Sequence, residues 1–213
     1  MMSAIEDPEI IRLFPSYVSK ARVPEPAREA IDRGVMAAIG ELRAGQPDVA
    51  EGEVWQSPHG LHHLPAIIPL VTCVGEAAGR VLDLLRIGPR AISITGCWAN
   101  IAAPGAALKM HAHPNNFLSG VYYLQVQSGA ETINFHDPRP QTGIIRPPVT
   151  ELTPYNTDQV VVTVENGALL IFPAWLLHSV DANQSGRPRI SVSFNLMFDA
   201  FAETMGAPLW GEP

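Results

Sequence analysis

The stretch ENGALLIFPAWLLHSV, residues 165–180, carries the pattern that decides the fold. It opens with Asn166-Gly167, a dipeptide that favours a type I′ turn because both central residues of that turn need a positive φ. The apolar run that follows is typical of a buried β-strand, and it leads to His178. The stretch therefore predicts a hairpin between the strands on either side of the turn, with a histidine at the end of the second strand.

Short runs rich in β-branched and aromatic residues, separated by Gly, Pro and Asn turns, predict six β-strands beyond residue 90. These strands cover residues 92–100, 119–126, 131–135, 159–164, 168–173 and 190–198. Ahead of them, apolar residues with helical spacing predict one helix after Pro24, reaching Leu42, and a second from about Pro65 to Ile87. Helices followed by many short strands predict an α+β, mainly β fold with a jelly-roll-like barrel.

The composition is that of a folded domain rather than of a disordered chain. The 213 residues are 46% hydrophobic and 16% charged, which is ordinary for a globular protein. The length suits one β-barrel or sandwich with a sizeable core. We therefore predict a single domain over residues 1–213, with a helical front at 1–90 and a β core at 91–200.

Charge and cysteine content exclude several classes of partner. A formal net charge of -7 disfavours sequence-independent binding of nucleic acid, which requires a basic surface. The sequence contains no apolar run of the roughly 18–20 residues that a membrane span needs. Cys73 and Cys97 form no CxxC pair and indicate a reducing compartment. We expect a cytoplasmic protein that binds neither nucleic acid nor a membrane.

Three histidines have the spacing of a metal site. His111 and His113 lie two residues apart, and such residues point to the same face of a strand. His178 follows an apolar strand much later in the chain. Three nitrogen ligands on one side of an ion leave its other side open, which a catalytic metal requires. The histidines expected in loops, turns or on the surface are His62, His63 and His136, with a substrate-side role as the alternative for the first two.

Arg189 and Ser191 share one face of the last predicted strand, whose other residues are mostly apolar or small. An arginine that points into the barrel needs an anion, and its forked donors together with a hydroxyl suit a carboxylate. The alternative is an arginine at the rim that contacts only solvent. Tyr122 and Tyr123 lie on opposite faces of their strand, so one phenol can point into the barrel, but alternation alone does not distinguish them.

Several segments resemble the small bacterial 2-oxoglutarate/Fe(II)-dependent oxygenases. The matching segments are HAHPNNFLSGVYYL (111–124), FHDPRP (135–140), the opening stretch (165–180), RPRISVSFN (187–195) and, in the front part, RLFPSYV (12–18) and WQSPHGLHHL (55–64). The resemblance covers most of the chain. It implies a double-stranded β-helix, which is a jelly roll, with the N-terminal helices packed against it.

For the metal, the resemblance implies that His111, His113 and His178 bind Fe(II). His113 stands where the wider superfamily has an aspartate, so the site is one charge more positive than two histidines and a carboxylate would make it. The dianionic cosubstrate could offset that charge. Whether the exchange alters the metal or its reactivity stays open at the level of the sequence.

For the cosubstrate, the resemblance implies that Arg189 binds the far carboxylate of 2-oxoglutarate, together with the Ser191 hydroxyl. Tyr123, ahead of Tyr122, is expected to support the same carboxylate. The implied reaction oxidises a small-molecule or peptide substrate and releases succinate and CO2. The sequence identifies neither that substrate nor the type of oxidation.

Four residues near the predicted site could shape the substrate pocket: Trp98, Asn100, Asn115 and Trp175. Aromatic core packing is the alternative for the tryptophans, and a turn is the alternative for Asn115. Residues 146–158 form the longest predicted loop, which could be either a lid or an inert loop. An exposed edge strand would allow two copies to pair, so a homodimer is compatible with the sequence but not required by it.

Two other functions are also compatible with the sequence. The first is a cupin-type three-histidine dioxygenase or isomerase that does not use 2-oxoglutarate, because Gly105 precedes His111 at cupin spacing. However, the glutamate that a cupin has shortly after its HxH pair is missing, and a cupin has no purpose for Arg189 and Ser191. The second alternative is a non-enzymatic sensor or binding barrel.

Overall fold

Ten strands and three helices make up the part of the chain that the computed structural model describes, residues 9–88, 91–139 and 147–202. The front elements are β1 (Ser19–Arg22), α1 (Ala27–Leu42), β2 (Val54–Gln56) and α2 (Ile68–Leu84), with 3-10 turns at Leu61–His63 and Pro65–Ile67. The later elements are β3 (Ile92–Ala102), β4 (Leu108–His111), β5 (Leu118–Gln125), β6 (Thr132–His136), β7 (Gln159–Thr163), β8 (Ala168–Pro173), β9 (His178–Val180), β10 (Arg189–Phe198) and α3 (Asp199–Ala202). None of these helices is long and apolar enough to cross a membrane.

The strands form two antiparallel sheets that face each other. One sheet has six strands in the order β1-β8-β5-β10-β3-β2, and the other has four in the order β4-β9-β6-β7. Many spatial neighbours are distant in sequence, as in a jelly roll. Apolar side chains of β5 and β8 in the large sheet and of β6 in the small sheet belong to one cluster, so the space between the sheets is packed.

Strand β5 shows how alternation divides the core into two layers. Leu118 and Tyr122 belong to the cluster that packs the large sheet against the helices, whereas Val121 and Tyr123 belong to the cluster between the sheets. The Tyr122 hydroxyl donates to the carboxylate of Asp32 on α1 at 2.7 Å. The structure thereby separates the two tyrosines: Tyr122 ties a helix to the sheet, and Tyr123 points into the barrel.

The hairpin predicted at Asn166-Gly167 is wrong. Strand β7 pairs with β6, and β8 pairs with β1 and β5, so the two strands that flank the turn lie in different sheets. Gly167 has a φ of 82°, while Asn166 has no positive φ, so the type I′ geometry is not formed. The Asn166 side chain instead accepts a hydrogen bond from the Val126 backbone N–H at 2.7 Å. The turn carries the chain from one sheet to the other.

The sequence does not predict four of the strands, β1, β2, β4 and β9, which have only three or four residues each. Strands this short show no clear period of two. β1 and β2 form the two edges of the large sheet, so the helical front predicted at 1–90 is correct only in part. His178 begins β9 instead of ending the apolar strand at 168–173, because a turn after Pro173 separates them. Pro89 lies outside the described residues.

Replacing Gly120 by Ala should destabilise the protein, because a Cβ there would clash with the Leu170 carbonyl oxygen and with the Phe194 ring. Overpacking of this kind costs roughly 1–3 kcal/mol of unfolding free energy. The matched control is Gly75→Ala on α2, where an added Cβ meets no atom within 4 Å and helix propensity should raise stability by about 0.5–1 kcal/mol. Urea unfolding measures both changes, and equal stabilities of the two variants would contradict this packing.

Candidate active site

Three histidines meet where β4 ends and β9 begins. These strands are antiparallel neighbours, and their register places His111 opposite His178. His113 lies two residues beyond the end of β4, and its backbone N–H donates to the Ala174 carbonyl at 2.9 Å. The ring centroids of His111 and His178 are 4.3 Å apart. The His113 centroid lies 5.1 Å from that of His111 and 5.2 Å from that of His178. One nitrogen of each ring lies within 4.8 Å of the others, so the group could hold one ion.

Backbone carbonyls determine which nitrogens face the common point. His111 Nδ1 lies 2.7 Å from the Lys109 carbonyl oxygen, and His178 Nδ1 lies 2.9 Å from that of Leu176. A carbonyl oxygen only accepts hydrogen bonds, so Nδ1 of both rings carries the hydrogen and Nε2 keeps its lone pair. A hydrogen bond from the far nitrogen is the usual support of a metal-binding histidine. The local backbone thus orients two of the three rings for a metal.

Burial keeps two of the three rings, those of His113 and His178, neutral. It lowers the pKa of His113 to about 4, with the His178, His111 and His59 rings adding to the effect. Burial also lowers the pKa of His178 to about 4, although the hydrogen bond to Leu176 opposes this change. Both imidazoles are therefore unprotonated at neutral pH, which is the form that binds a metal.

A buried arginine lies deeper in the barrel, at the start of β10. Arg189 is 5% exposed and Ser191 is 7% exposed, so the alternative of a rim arginine that contacts only solvent is wrong. The Arg189 guanidinium lies over the ring of Tyr123 at 5.0 Å, and Tyr123 is the register partner of Ser191. Arg189 Nε and the Tyr123 hydroxyl are buried without a hydrogen-bond partner. None of the ion pairs formed within the described ranges includes Arg189.

The Tyr123 hydroxyl is a donor that lacks an acceptor. Burial raises the pKa of Tyr123, although the neighbouring Arg189 charge opposes the rise, so the phenol stays protonated at neutral pH. An unpartnered buried donor costs roughly 1–3 kcal/mol. The Arg189 cation and the Tyr123 hydroxyl, which lie together with buried atoms that lack hydrogen-bond partners, thus form a receptor for an anion.

A cavity of about 260 Å³ adjoins this receptor. Arg189, Ser191 and Asn100 give it polar groups, and Leu108 and Val180 are among its apolar wall residues. Leu108 and Val180 lie on the same two short strands, β4 and β9, as two of the clustered histidines. The cavity therefore reaches two strands that also carry clustered histidines, although none of the three imidazoles lines it, and its guanidinium suits a ligand that ends in a carboxylate.

The residues predicted for a substrate pocket differ in position. Trp98 is 6% exposed, and its ring lies 5.9 Å from that of His113. Asn100 is buried, accepts a hydrogen bond from Gln56 at 2.8 Å and donates one to Ser193 at 3.0 Å. Both residues therefore lie beside the candidate site.

Other predicted features lie at the surface. Trp175 is 54% exposed in the turn between β8 and β9. Asn115 is exposed with a φ of 66°, which fits the turn alternative rather than a pocket. Residues 147–158 are mostly exposed, and residue 146 of the predicted lid lies outside the described residues.

Two residues near the site were not predicted from the sequence, His59 and Gln56. Both belong to the segment WQSPHGLHHL, and the resemblance of this segment to the oxygenases was the signal that could have identified them. The His59 ring lies 4.4 Å from the Trp98 ring. His62 and His63 form a ring pair of their own at 3.9 Å in a 3-10 turn, and His136 Nε2 lies 2.9 Å from the Ser179 hydroxyl.

Comparisons with known proteins agree with this geometry. Residues 96–195 match the family model described as "Putative 2OG-Fe(II) oxygenase". The structure is similar to that of the non-heme alpha ketoglutarate dependent epimerase SnoN from nogalamycin biosynthesis (TM-score 0.62, 15% identity, 92% of this chain and 89% of that chain). SnoN in complex with Fe3+, alpha ketoglutarate and nogalamycin RO gives a TM-score of 0.61 at 15% identity, covering 93% and 88%.

A prolyl-4-hydroxylase from Pseudomonas putida is also similar (TM-score 0.55, 16% identity, 86% of this chain and 93% of that chain). A search of the curated proteins found no match. At these identities the structural similarities establish the fold alone. They confirm the predicted double-stranded β-helix.

The metal-free protein should lose stability as the pH falls from about 6.5 towards 4. Histidines of the unfolded chain take up protons near pH 6.5, whereas His113 and His178 in the folded protein stay neutral down to about pH 4. The unfolded state binds more protons in this range, so the free energy of unfolding decreases as the pH decreases. Urea unfolding with a chelator, at several pH values between about 7 and 5, measures the slope.

One substitution tests the origin of this slope. His113→Asn should flatten it, because this change removes one of the two histidines whose pKa burial lowers to about 4. Identical slopes for His113→Asn and the wild-type protein would contradict a neutral, buried His113.

Proposed function

Residues 96–195 match the model of the 2OG-Fe(II) oxygenase family, and on that premise we propose that the chain's three clustered histidines hold Fe(II) while Arg189 holds 2-oxoglutarate. The match to this family supports the enzyme class of oxidoreductase and the use of iron and 2-oxoglutarate, all predicted from the sequence. The roles of individual residues are the proposal. The molecule that is oxidised, here the prime substrate, is a small molecule or a peptide of unknown identity.

The observation that carries the proposal is the unpartnered pair formed by Arg189 and Tyr123 beside a cluster of three imidazoles. Buried polar atoms are almost always hydrogen-bonded in folded proteins. A dicarboxylate bound in the adjoining cavity would accept hydrogen bonds from both groups and balance the arginine charge. The residues present therefore fit both the metal and the cosubstrate.

The chain's own residues prepare the site before anything binds. Carbonyl oxygens of Lys109 and Leu176 fix the tautomers of two rings, so their Nε2 lone pairs stay available for a metal. The Phe172 and Phe135 rings lie 4.8 Å and 6.2 Å from the His178 ring and keep water from its inner side. When bound, Fe(II) and 2-oxoglutarate supply the dioxygen chemistry that oxidises the prime substrate and releases succinate and CO2.

Arg189→Met should weaken 2-oxoglutarate binding by about two orders of magnitude, because truncating one partner of a buried charged contact costs roughly 2–5 kcal/mol. Iron binding should persist, since Arg189 is not one of the clustered histidines. Anaerobic titration of the Fe(II)-loaded protein, followed by visible absorption, measures the affinity. Arg187→Met is the matched control, because Arg187 lies two residues away and is exposed.

The same titration distinguishes the alternative function. A wild-type protein that binds iron but not 2-oxoglutarate would indicate a cupin-type metalloprotein that does not use this cosubstrate. Unchanged affinity in Arg189→Met would place the cosubstrate elsewhere in the barrel.

His178→Ala should reduce iron affinity by more than about 100-fold, because it removes a ligand. Losing only the hydrogen-bond partner of a ligand typically reduces metal affinity by about 10- to 100-fold, and losing the ligand itself should have a larger effect. His113→Asp should keep iron, since a carboxylate at that position gives the two-histidine, one-carboxylate set that iron accepts. His63→Ala is the control at an exposed histidine. Metal analysis after anaerobic loading measures the stoichiometry, and full occupancy in His178→Ala would refute this ligand set.

A cytoplasmic location forms part of the proposal. Cys73 and Cys97 are both free thiols, which suits a reducing compartment. Pairing of two copies along an exposed sheet edge stays a proposal about assembly.

A further inference from the structure

The cavity beside Arg189 lies at the end of the barrel opposite the three histidines. Strand β4 runs from Leu108 to His111, and its antiparallel neighbour β9 runs from His178 to Val180. Leu108 and Val180, which line the cavity, are register partners, so both lie at the strand ends away from the imidazoles. At about 3.3 Å per residue, β4 carries Leu108 about 10 Å from His111.

Three chain connections surround this cavity: those between β3 and β4, between β5 and β6, and between β9 and β10. Backbone hydrogen bonds tie them together. The Asn183 N–H donates to the Ala106 carbonyl at 2.9 Å, and the Gln184 N–H donates to the Gly129 carbonyl at 2.8 Å. Among the residues that line the cavity, Gly129 and Gln184 are exposed, whereas Ala106, Asn183 and Arg189 are buried. The cavity therefore leads from solvent, through a fixed rim, to the buried guanidinium.

We propose that this opening is the entrance for 2-oxoglutarate and that the prime substrate approaches from the other end of the barrel, over the histidines. The inference rests on the proposed function, because it takes Arg189 as the group that binds the cosubstrate. It goes beyond that function by assigning the two ligands separate routes. Prime substrate bound over the histidines then does not enclose the cosubstrate, and the two can bind in either order.

The position of the unpartnered groups supports this route. Arg189 Nε and the Tyr123 hydroxyl, which lack hydrogen-bond partners, lie where β10 begins, at the end of the barrel that the cavity occupies. A dicarboxylate that enters here passes Arg189 with its leading end and leaves its trailing carboxylate beside the guanidinium. Its leading end then points along the barrel towards the histidines, which is the orientation that the proposed site requires.

Two acidic residues, Glu131 and Asp181, also line the cavity. Asp181 is exposed, and none of the ion pairs in the described part of the chain includes it. Its charge opposes the approach of a dianion through this opening, and salt screens that effect. A cosubstrate that entered at the histidine end would not pass Asp181. The charge at this position therefore reports the route.

The test is stopped-flow mixing of the anaerobic Fe(II)-loaded protein with 2-oxoglutarate, followed by visible absorption. Asp181→Asn removes the opposing charge and should raise the association rate by about two- to fivefold at low ionic strength, and the gain should shrink as salt is added. Asp158→Asn is the matched control, because Asp158 directly precedes β7, whose first residue pairs with His136 at the histidine end. The control should associate at the wild-type rate.

A second variant tests the opening by its width. Ala182, in the connection between β9 and β10, lines the cavity, and Ala182→Phe narrows it. Association and dissociation should slow by the same factor, because a narrower entrance changes the rates and leaves the bound complex as it is.

An unchanged association rate in Asp181→Asn, an equal gain in Asp158→Asn, or wild-type rates in Ala182→Phe overturns the entrance while the proposed function stands. Iron-loaded wild-type protein that binds no 2-oxoglutarate sinks the proposed function, and the entrance with it.

Discussion

The antiparallel register between β4 and β9 is the constraint on which the site depends. It places His111 opposite His178, and a slip of one residue would turn one imidazole to the other face of the sheet. His113 reaches the same point because its N–H is bound by Ala174, just after β8 of the opposite sheet. The three rings thus converge only when both sheets are in place, although β4 and β9 are among the shortest strands described.

One part of the barrel interior is packed with aromatic rings, and another part holds buried polar atoms that have no hydrogen-bond partner. Phe135 and Phe172 pack near His178, whereas Arg189 and Tyr123 leave polar atoms without partners. Each unpartnered buried donor costs roughly 1–3 kcal/mol, a cost that a core built only for stability would avoid. The apolar cluster between the helices and the large sheet lies away from this site and supplies stability there. The division lets the barrel keep a receptor for an anion without losing its fold.

Features that depend on a local pattern of residues can be predicted from the sequence. Features that depend on contacts between distant segments cannot. Alternation and β-branched residues identify the long strands, and the spacing of His111 and His113 identifies the cluster. The Asn166-Gly167 signal fails because tertiary structure directs the two flanking strands into different sheets. The inward direction of Tyr123 follows from packing on both faces of β5, which alternation alone leaves undecided. His59 escapes prediction because its neighbour Trp98 is distant in sequence.

The histidine in place of the superfamily's aspartate changes how charge is balanced. Three imidazole ligands bring no negative charge to a divalent metal, so in the proposed site the 2-oxoglutarate dianion would supply it. In the proposed site the far end of that dianion would meet Arg189, which has no ion-pair partner within the described ranges. Metal and cosubstrate would then compensate each other's charges, and by linkage each would strengthen the binding of the other. A carboxylate at position 113 would supply part of that balance from the protein, so with histidine there the balance would depend more on the cosubstrate.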